Sequence, residues 1–391
     1  MKQHWQAAKQ VIRKLEEAGF EAVFVGGAVR DALLGRLGHD VDVATSALPE
    51  EVKTVFGKTV DIGIEHGTVL VLDAGEPIEV TTYRTDGEYV DHRRPDGVVF
   101  VRSLEEDLKR RDFTMNAIAM DADERIIDLY GGREDIANQI IRAVGIPSER
   151  FAEDALRMLR AVRFSAQLGF SIEAATLSAV KEHAHEIAFV ARERIAAELE
   201  KIWISPLPKT GIDSLIESGL ADHLPGNIAA HQEKWASFQT EKAAVGWAFL
   251  SFLNDAQQDI VQSYRLSNKI KDFIKYVLEA HKKLEAGWLP LDYFTYELEV
   301  LETAYDFAVW TGNIPSFRKE EISFKQASLP IQAKQELAVN GHDFIEWHGG
   351  KGGPWLKEAM DNVLQHVLNG EVQNNKEQIR DWFIYDFLNK R

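Results

Sequence analysis

The chain has 391 residues, of which 45% are hydrophobic and 27% are charged, with no cysteine and a formal net charge of −17. This length favours two or more domains, and the lack of cysteine excludes disulfides, thiolate metal sites and cysteine nucleophiles. No run of about 18 apolar residues and no signal-peptide core is present, so we expect a cytoplasmic protein without a membrane span.

The first third of the chain has the pattern of a mixed α and β domain. An amphipathic helix is predicted over residues 4–18, and Gly19 ends it. Short β-like runs, separated by glycine, proline and aspartate, follow this helix. They cover residues 22–25, 40–44, 67–72, 78–83, 98–101 and 126–130. We therefore predict an α+β head over residues 1–138.

From about residue 135 the pattern becomes helical. Residues 151–168 and 192–204 have the apolar spacing of helices. Pro206 and Pro208 suggest a break, and residues 313–315 are a plausible linker. We predict an all-α remainder in three parts, which are a neck over residues 139–205, a body over 206–312 and a tail over 313–391.

A glycine pair and two aspartates stand close together in the head. Gly26 and Gly27 follow a short apolar run and lead into a helix that carries Arg30, and Asp40 and Asp42 come about ten residues later. Strand side chains alternate, so the two carboxylates share one face while the neighbouring valines point into the core. Magnesium prefers a few carboxylates plus phosphate oxygens, and phosphates bind backbone N–H groups at a helix start. The pattern therefore predicts a seat for a magnesium-bound triphosphate.

The same segment lacks the signatures of two common nucleotide-binding classes. It contains neither Gly-x-Gly-x-x-Gly nor a phosphate loop that ends in Gly-Lys-Ser/Thr. This argues against a dinucleotide oxidoreductase and against a P-loop ATPase.

Glu79 is the candidate for a third carboxylate. In residues 78–83, Ile78 and Val80 share one face of a strand, and Glu79 lies on the other. If this strand neighbours the Asp40 strand, Glu79 completes a cluster of three carboxylates. The alternative, a surface glutamate, stays open.

Arg110 and Arg111 are candidates for a phosphate clamp, because guanidinium binds phosphate oxygens in a bidentate manner. The alternative is a solvated face beside an apolar segment. The net negative charge requires that any nucleic-acid site be a local basic cleft on an acidic body.

Asp154, Arg157, Arg160 and Arg163 recur every three residues along the predicted helix 151–168. One interpretation is an ion-paired, solvated stripe. The other is recognition of a nucleobase, with the Asp oxygen accepting from an exocyclic amine and the Arg N–H donating to the adjacent ring nitrogen. Cytosine and adenine present that pattern, whereas uracil and guanine present the opposite one.

Taken together, five groups of residues resemble the class II nucleotidyltransferase family, and within it the bacterial CCA-adding tRNA nucleotidyltransferases. They occur in the family's order as Gly26-Gly27-x-x-Arg30-Asp31 with Asp40-x-Asp42, Arg110-Arg111-Asp112-Phe113-Thr114-x-Asn116-Ala117, Asp128-Leu129-Tyr130-Gly131-Gly132, Glu153-Asp154-x-x-Arg157-x-x-Arg160-Ala161-x-Arg163-Phe164, and Glu193-Arg194-Ile195 with Glu198-Leu199. These groups span about residues 20–205, and residues 337–341 and 353–355 resemble the tail of the Gram-positive bacterial form.

The resemblance implies a polymerase-β-like head followed by a helical neck, body and tail. It implies addition and repair of the 3′-terminal CCA of tRNA from CTP and ATP, without a nucleic-acid template and with Mg²⁺ as cofactor. By position, Asp40 and Asp42 would bind the metal, and Glu79 would be the third catalytic carboxylate. The implied nucleotide-binding residues are Gly27, Arg30 and Arg111 for the triphosphate, and Asp154 and Arg157 for the base, with Arg160 and Arg163 beside them. The tail would hold the tRNA elbow.

Several alternatives stay open at this point. A bacterial poly(A) polymerase shares the head motifs but typically carries basic extensions, which we do not expect in this acidic chain. Partial enzymes that add only C or only A also share the head motifs. A non-catalytic RNA-binding protein is disfavoured, because it would not need Asp40 and Asp42. The oligomeric state stays open between a monomer and a homodimer.

Overall fold

The computed structural model describes residues 2–36, 41–86, 98–313, 315 and 317–389, without the side chains of Lys2, Ile64 and Asp86. Asp40, one of the two predicted metal ligands, lies outside the described residues.

The strands of the described residues all precede residue 173. They are β1 (Ala22–Val25), β2 (Val43–Thr45), β3 (Thr59–Gly63), β4 (Thr68–Val71), β5 (Ile78–Thr82), β6 (Arg84–Asp86), β7 (Val98–Phe100), β8 (Ile118–Met120), β9 (Ile126–Asp128), β10 (Ile140–Ile141) and β11 (Ser171–Ile172).

Helices are sparse in the head and dominate the rest of the chain. The α-helices are α1 (Lys2–Glu17), α2 (Gly27–Leu33), α3 (Pro49–Val55), α4 (Leu104–Lys109), α5 (Gly132–Ala137), α6 (Pro147–Glu153), α7 (Leu156–Leu168), α8 (Ala174–His183), α9 (Arg192–Trp203), α10 (Pro208–Glu217), α11 (Ala243–Asn254), α12 (Gln257–Ser263), α13 (Asn268–Leu284), α14 (Pro290–Thr295), α15 (Leu298–Trp310), α16 (Glu320–Ala327), α17 (Gly341–His348), α18 (Pro354–Leu368) and α19 (Lys376–Trp382). Short 3₁₀ turns include Thr114–Asn116, and a π-helical turn covers Phe383–Phe387.

Seven strands form one mixed sheet in the order β3–β4–β5–β2–β1–β8–β9. β2 and β5 are parallel with Val43 opposite Val80, whereas β1 is antiparallel to both β2 and β8. The glycine turn follows β1, Asp42 directly precedes β2, and Glu79 lies in β5. These three strands are neighbours at the centre of the sheet. These three sequence-distant features meet at one place because β5, β2 and β1 are adjacent.

Both faces of this sheet are covered by apolar side chains. Val11, Ile12 and Leu15 of α1 are fully buried and belong to the same cluster as Val43 and Val80. The opposite face has its own cluster, which includes Val23, Val25, Ala44, Leu108 and Ala119. Because both faces are covered, β1 is a continuous apolar run with all four residues buried.

The helix α7 is the most deeply buried part of the neck. Ten of its residues are buried, including Arg157 and Arg163. It packs on α10 at Gly211, where a Cβ would lie 2.8 Å from the Cβ of Ala166 and 2.6 Å from Ile202 Cγ2. A larger residue at this position would push α10 away, so the glycine lets α10 pack closely on α7 and α9.

The neck is not purely helical as predicted. The short parallel pair β10–β11 joins Ile140 to Ser171 and Ile141 to Ile172. Two-residue strands carry too little period-two pattern to be seen in a sequence, which explains this difference.

The described residues divide into two compact units, one of residues 1–243 with 263–265 and one of residues 244–262 with 266–391. The second unit contains a separate apolar core that includes Ile331, Phe344, Val363, Ile379 and Phe383. The finer division into head, neck, body and tail stays a prediction. Within the described ranges, no helix has both the length and the apolar character needed to cross a membrane.

Candidate active site

A cleft of about 900 Å³ lies between the central strands of the head and helix α7. Eight of the ten predicted site residues line it, namely Gly27, Arg30, Asp42, Arg111, Asp154, Arg157, Arg160 and Arg163. Nine lining side chains are cationic and four are carboxylates. The cleft is therefore the local basic surface that an anionic ligand needs on a chain with a net charge of −17.

The glycine turn allows the backbone to come close to an arginine. Gly26 has φ 68° and ψ −130°, a combination that residues with a Cβ avoid. A Cβ on Gly26 would also lie 2.8 Å from Nη1 of Arg111. A side chain at this position would therefore strain the turn and crowd the guanidinium.

Asp42 stands directly before β2, with its side chain exposed and its neighbours Val41 and Val43 buried. This alternation confirms the predicted direction of residues 41–43. Because Val43 pairs with Val80, Asp42 and Glu79 each precede a paired residue on adjoining parallel strands. Glu79 is exposed but is not among the residues that line the cleft. Among the described side chains, no group of three possible metal ligands is found, and Asp40 is not one of those side chains.

Arg30 is held from two directions on α2. Its Nε donates to Asp31 Oδ1 at 2.9 Å, and its Nη1 donates to Asn116 Oδ1 at 2.8 Å. The guanidinium also lies over the ring of Phe164, 5.3 Å from the ring centroid. These contacts fix the direction of the guanidinium before any ligand binds.

Arg110 and Arg111 share one buried carboxylate. Each donates to Asp107 at 2.9 Å, and the side chains of the two arginines are only 19% exposed. Burial raises the pKa of Asp107, but Arg111 and Arg110 outweigh burial and leave this pKa below its ordinary value. The interpretation of this pair as a solvated surface is therefore wrong. Its role as a phosphate clamp stays a prediction.

Asp112 connects the head to α7. Its Oδ2 accepts from Nε of Arg160 at 2.7 Å, and its Oδ1 accepts from the Phe113 N–H and from Asn116 Nδ2. Burial would raise the pKa of Asp112, but Arg160 and the bond from Asn116 lower it to about 2. The carboxylate stays charged across the physiological range and anchors Arg160.

The predicted helix 151–168 is interrupted at Asp154. Helix α6 ends at Glu153 and α7 begins at Leu156, with Asp154 extended between them at φ −146°. The reason is local, since Asp154 Oδ1 accepts from the Leu156 N–H at 3.1 Å, which is the first N–H of the second helix. A continuous helix would not leave this donor available to the side chain.

Asp154 and Arg157 already have protein partners. Asp154 Oδ2 accepts from Arg194 at 2.7 Å. Arg157 donates from Nη1 to Glu153 at 2.5 Å and from Nη2 to the carbonyl oxygen of Arg110 at 3.0 Å. Both side chains line the cleft, so the predicted pair is brought together.

Arg163 is paired with Glu198 at 2.9 Å, and Lys201 shares the same carboxylate at 3.1 Å. Its guanidinium lies 4.2 Å from the Phe164 ring centroid. Burial and the nearby Arg160 lower the pKa of Arg163 to about 10 against the opposing effect of Glu198. The arginine stripe is therefore ion-paired, but Arg157 and Arg163 are buried and the stripe is not a solvated face.

Residues 128–132 hold the start of α5 against the turn that carries Asn116. Asp128 accepts from the N–H groups of Gly132 and Arg133 at 2.9 Å each and so caps α5. A Cβ on Gly132 would lie 2.2 Å from the carbonyl oxygen of Thr114, so only glycine lets α5 approach the Thr114–Asn116 turn. This glycine therefore keeps Asn116 in place.

Sequence reasoning assigned no role to several residues that organise the cleft. They are Asp107, Asp112, Asn116, Glu153, Phe164, Arg194 and Glu198. Most of them stand inside or beside the groups that carried the family resemblance. The usable signal was a carboxylate three or four residues from an arginine, as in Asp107 with Arg110 and Arg111.

Three models of known protein families together match most of the chain. A model described as the poly A polymerase head domain matches residues 22–142, and a model for tRNA nucleotidyltransferase domain 2 matches residues 238–383. A third, described as "Probable RNA and SrmB-binding site of polymerase A", matches residues 169–230.

Two full-length relatives carry the name CCA-adding enzyme. That of Geobacillus stearothermophilus is 46% identical over 398 aligned residues, which cover 98% of each chain. That of Bacillus cereus strain G9842 is 42% identical and covers 97% of this chain and 98% of the relative. The crystal structure of the Bacillus stearothermophilus CCA-adding enzyme in complex with CTP is similar to this chain with a TM-score of 0.89. In that comparison, 42% of residues are identical, and the match covers 100% of this chain and 99% of the other.

These full-length similarities and the polymerase-type head agree with the arrangement of the cleft, and the chain belongs to the family of CCA-adding enzymes, which are tRNA nucleotidyltransferases.

Proposed function

We propose that the protein adds the 3′-terminal C, C and A of tRNA from CTP and ATP without a nucleic-acid template, and that it repairs incomplete ends by the same reaction. The observation that carries this proposal is the cleft, in which Asp42 and the arginines of the head face Asp154 and Arg157 of the neck. A nucleoside triphosphate needs both a phosphate site and a base site, and the arginines of the head and the Asp154–Arg157 pair have the chemistry for these two tasks. The reaction takes place where tRNA and both triphosphates are present, so we also propose a cytoplasmic location.

Asp40 and Asp42 would hold Mg²⁺, and Glu79 would be the third catalytic carboxylate. The donor set fits this metal, because Asp42, directly before β2, and Glu79, on the adjoining β5, are both exposed, and Mg²⁺ prefers carboxylate oxygens together with phosphate oxygens. Bound Mg²⁺ supplies activation of the primer 3′-hydroxyl and stabilisation of the departing pyrophosphate. Little side-chain acid–base chemistry is required, because phosphoryl-type transfer depends mainly on positioning and charge.

Gly27, Arg30 and Arg111 would hold the triphosphate. The two arginines are oriented by Asp31, Asn116 and Asp107, so their guanidinium groups need little reorganisation when phosphate binds. The glycines let the ligand approach the backbone closely.

Asp154 and Arg157 would read the base. Each carboxylate oxygen of Asp154 accepts one hydrogen bond that the structure shows, and an oxygen with two lone pairs can accept another from the amine of C or A. The Nη groups of Arg157 bond to Glu153 and to backbone carbonyls, so its guanidinium is oriented before a base binds.

The alternative of a poly(A) polymerase or a partial C- or A-adding enzyme is not favoured. The family model for the head is shared with poly(A) polymerases, but the full-length relatives are CCA-adding enzymes. Incubation of the protein with Mg²⁺, all four nucleotides and a tRNA that lacks its whole CCA end tests the proposal. Sequencing of the product should show CCA, whereas a run of A, C alone or no addition would contradict it.

We place the tRNA-holding tail in residues 313–391 and the nucleotide site in the head and neck. Every residue that lines the cleft lies between Val25 and Lys201. We therefore expect a chain that ends at Gly312 to lose most of its tRNA affinity, by at least about tenfold, while it keeps its affinity for CTP. Calorimetry with CTP and filter binding with tRNA measure the two affinities.

The truncated chain must first be shown to be folded by circular dichroism. Loss of CTP binding in a folded truncated chain would contradict the proposed division. Unchanged tRNA affinity would contradict the role of the tail.

A further inference from the structure

Asn116 occupies a central position among the charged groups of the cleft. It ends the Thr114–Asn116 turn and is 7% exposed. Its Oδ1 accepts from Nη1 of Arg30 at 2.8 Å, and its Nδ2 donates to Oδ1 of Asp112 at 3.1 Å. One neutral side chain therefore joins a cation of the head to a buried anion.

The chain of bonds continues into the neck. The second oxygen of Asp112 accepts from Nε of Arg160 on α7 at 2.7 Å. Hydrogen bonds between the side chains of Arg30, Asn116, Asp112 and Arg160 thus connect α2 to α7. The ring of Phe164 supports both ends, with Arg30 at 5.3 Å and Arg160 at 5.7 Å from its centroid.

The backbone of Asn116 adds a third cation. Its carbonyl oxygen accepts from Nη1 of Arg111 at 3.4 Å. Asn116 is therefore bonded to both arginines that we propose for the triphosphate, and it reaches Arg160 beside the base-reading residues through Asp112.

An amide is the group that this place requires. Its oxygen can face a guanidinium while its nitrogen faces a carboxylate, which neither a carboxylate nor an apolar side chain can do. Being neutral, it orients Arg30 without adding negative charge next to the phosphates. An aspartate here would place a second carboxylate against Asp112, and an alanine would remove one bond from each partner.

We propose that Asn116 is a positioning residue that fixes the phosphate-holding arginines of the head relative to the base-reading helix α7. This inference rests on the proposed function, because it takes the phosphate and base sites from there. It predicts that phosphate affinity and base selectivity depend on the same side chain.

The test compares Asn116→Ala and Asn116→Asp with wild type. Asn116→Ala should raise KM for CTP at least about tenfold, because it removes hydrogen bonds to two charged groups. It should also lower the ratio of kcat/KM for CTP to that for UTP by severalfold. Asn116→Asp should raise KM for CTP further, since it adds a negative charge beside the phosphates. Asn138→Ala, at an exposed position at the end of α5, is the matched control and should change neither quantity.

A rise in KM with unchanged selectivity would overturn the proposed link, and so would unchanged KM in a folded variant. If Asn116→Ala does not fold, Asn116→Ser provides the same comparison with a smaller polar side chain that cannot reach Arg30. If wild type adds no CCA to tRNA, the proposed function fails. If wild type adds CCA while the Asn116 variants behave as wild type, only this inference fails.

Discussion

Replacement of Asp42 by asparagine should reduce nucleotide incorporation by about a hundredfold to a thousandfold, the order of loss seen when a group that stabilises transition-state charge is removed. The physical reason is the loss of one carboxylate from a site in which bound cations carry the largest charges. The fold should survive, because the Asp42 side chain is exposed and stands before β2 rather than within it. Incorporation of labelled CTP into tRNA that lacks its CCA end, with Mg²⁺ as the only divalent metal, measures the effect.

Asp61→Asn is the matched control for this experiment. Asp61 belongs to the same sheet, on the edge strand β3, and its pair with Lys53 is at the surface. Such a pair contributes little to stability, so activity should remain close to wild type. Near wild-type turnover of the Asp42 variant would contradict the metal-binding role, whereas unchanged tRNA binding in that variant would support it.

Exchange of the base-reading pair, by Asp154→Arg with Arg157→Asp, should shift the preference from CTP and ATP towards UTP and GTP. In wild type, UTP would set a carbonyl against Asp154 and a ring N–H against Arg157. Each buried, unpaired group costs about 1–3 kcal/mol, so two mismatches correspond to a discrimination of about thirtyfold to ten-thousandfold. The exchange reverses donor and acceptor and should reverse the sign of this preference. The measurement is kcat/KM for all four nucleotides.

The structure adds a condition to this experiment. A new arginine at position 154 would face Arg194, and a new aspartate at position 157 would face Glu153. We therefore expect the overall rate to fall, and the decisive quantity is the ratio between nucleotides. A second form that also carries Arg194→Gln and Glu153→Gln removes both like-charge contacts and should recover part of the rate.

A matched control exchanges another ion pair in the same compact unit. Lys209 and Asp213 pair on α10 and do not line the cleft. Lys209→Asp with Asp213→Lys should leave the order of nucleotide preference unchanged. If the exchange of Asp154 and Arg157 also leaves that order unchanged, these two residues do not read the base.

Elements with strong local signals could be predicted from the sequence. β1 has its predicted bounds, α9 differs by one residue, and α1 lies within two residues of its prediction at each end. Strands β3, β6 and β8 were not predicted. β3 carries Val60 and Ile62 exposed at the edge of the sheet, and β8 has three buried residues, so neither has one buried and one exposed face as a half-buried strand does. Their pairing partners, rather than their own residues, decide that they are strands.

The candidate site, like the fold, combines residues that the sequence predicts with contacts that only the tertiary structure decides. The spacing of residues within motifs was sufficient to propose Asp42, Arg30, Arg111, Asp154 and Arg157 as members of one site. Each motif is defined by residues only a few positions apart. A single sequence therefore contains the spacing on which the motifs and the family resemblance depend.

What only the tertiary structure decided is which charged groups face each other. Arg30 bonds to Asn116 across 86 residues, Arg160 to Asp112 across 48, and Arg194 to Asp154 across 40. The burial of the arginine stripe also emerges only when α7 packs between the head and α9. Local periodicity predicts which face of an element is apolar. The partner of a buried charge is instead decided by packing between distant segments. The physical reason is that a charge removed from water needs an opposite charge nearby, and the fold determines which residue supplies it.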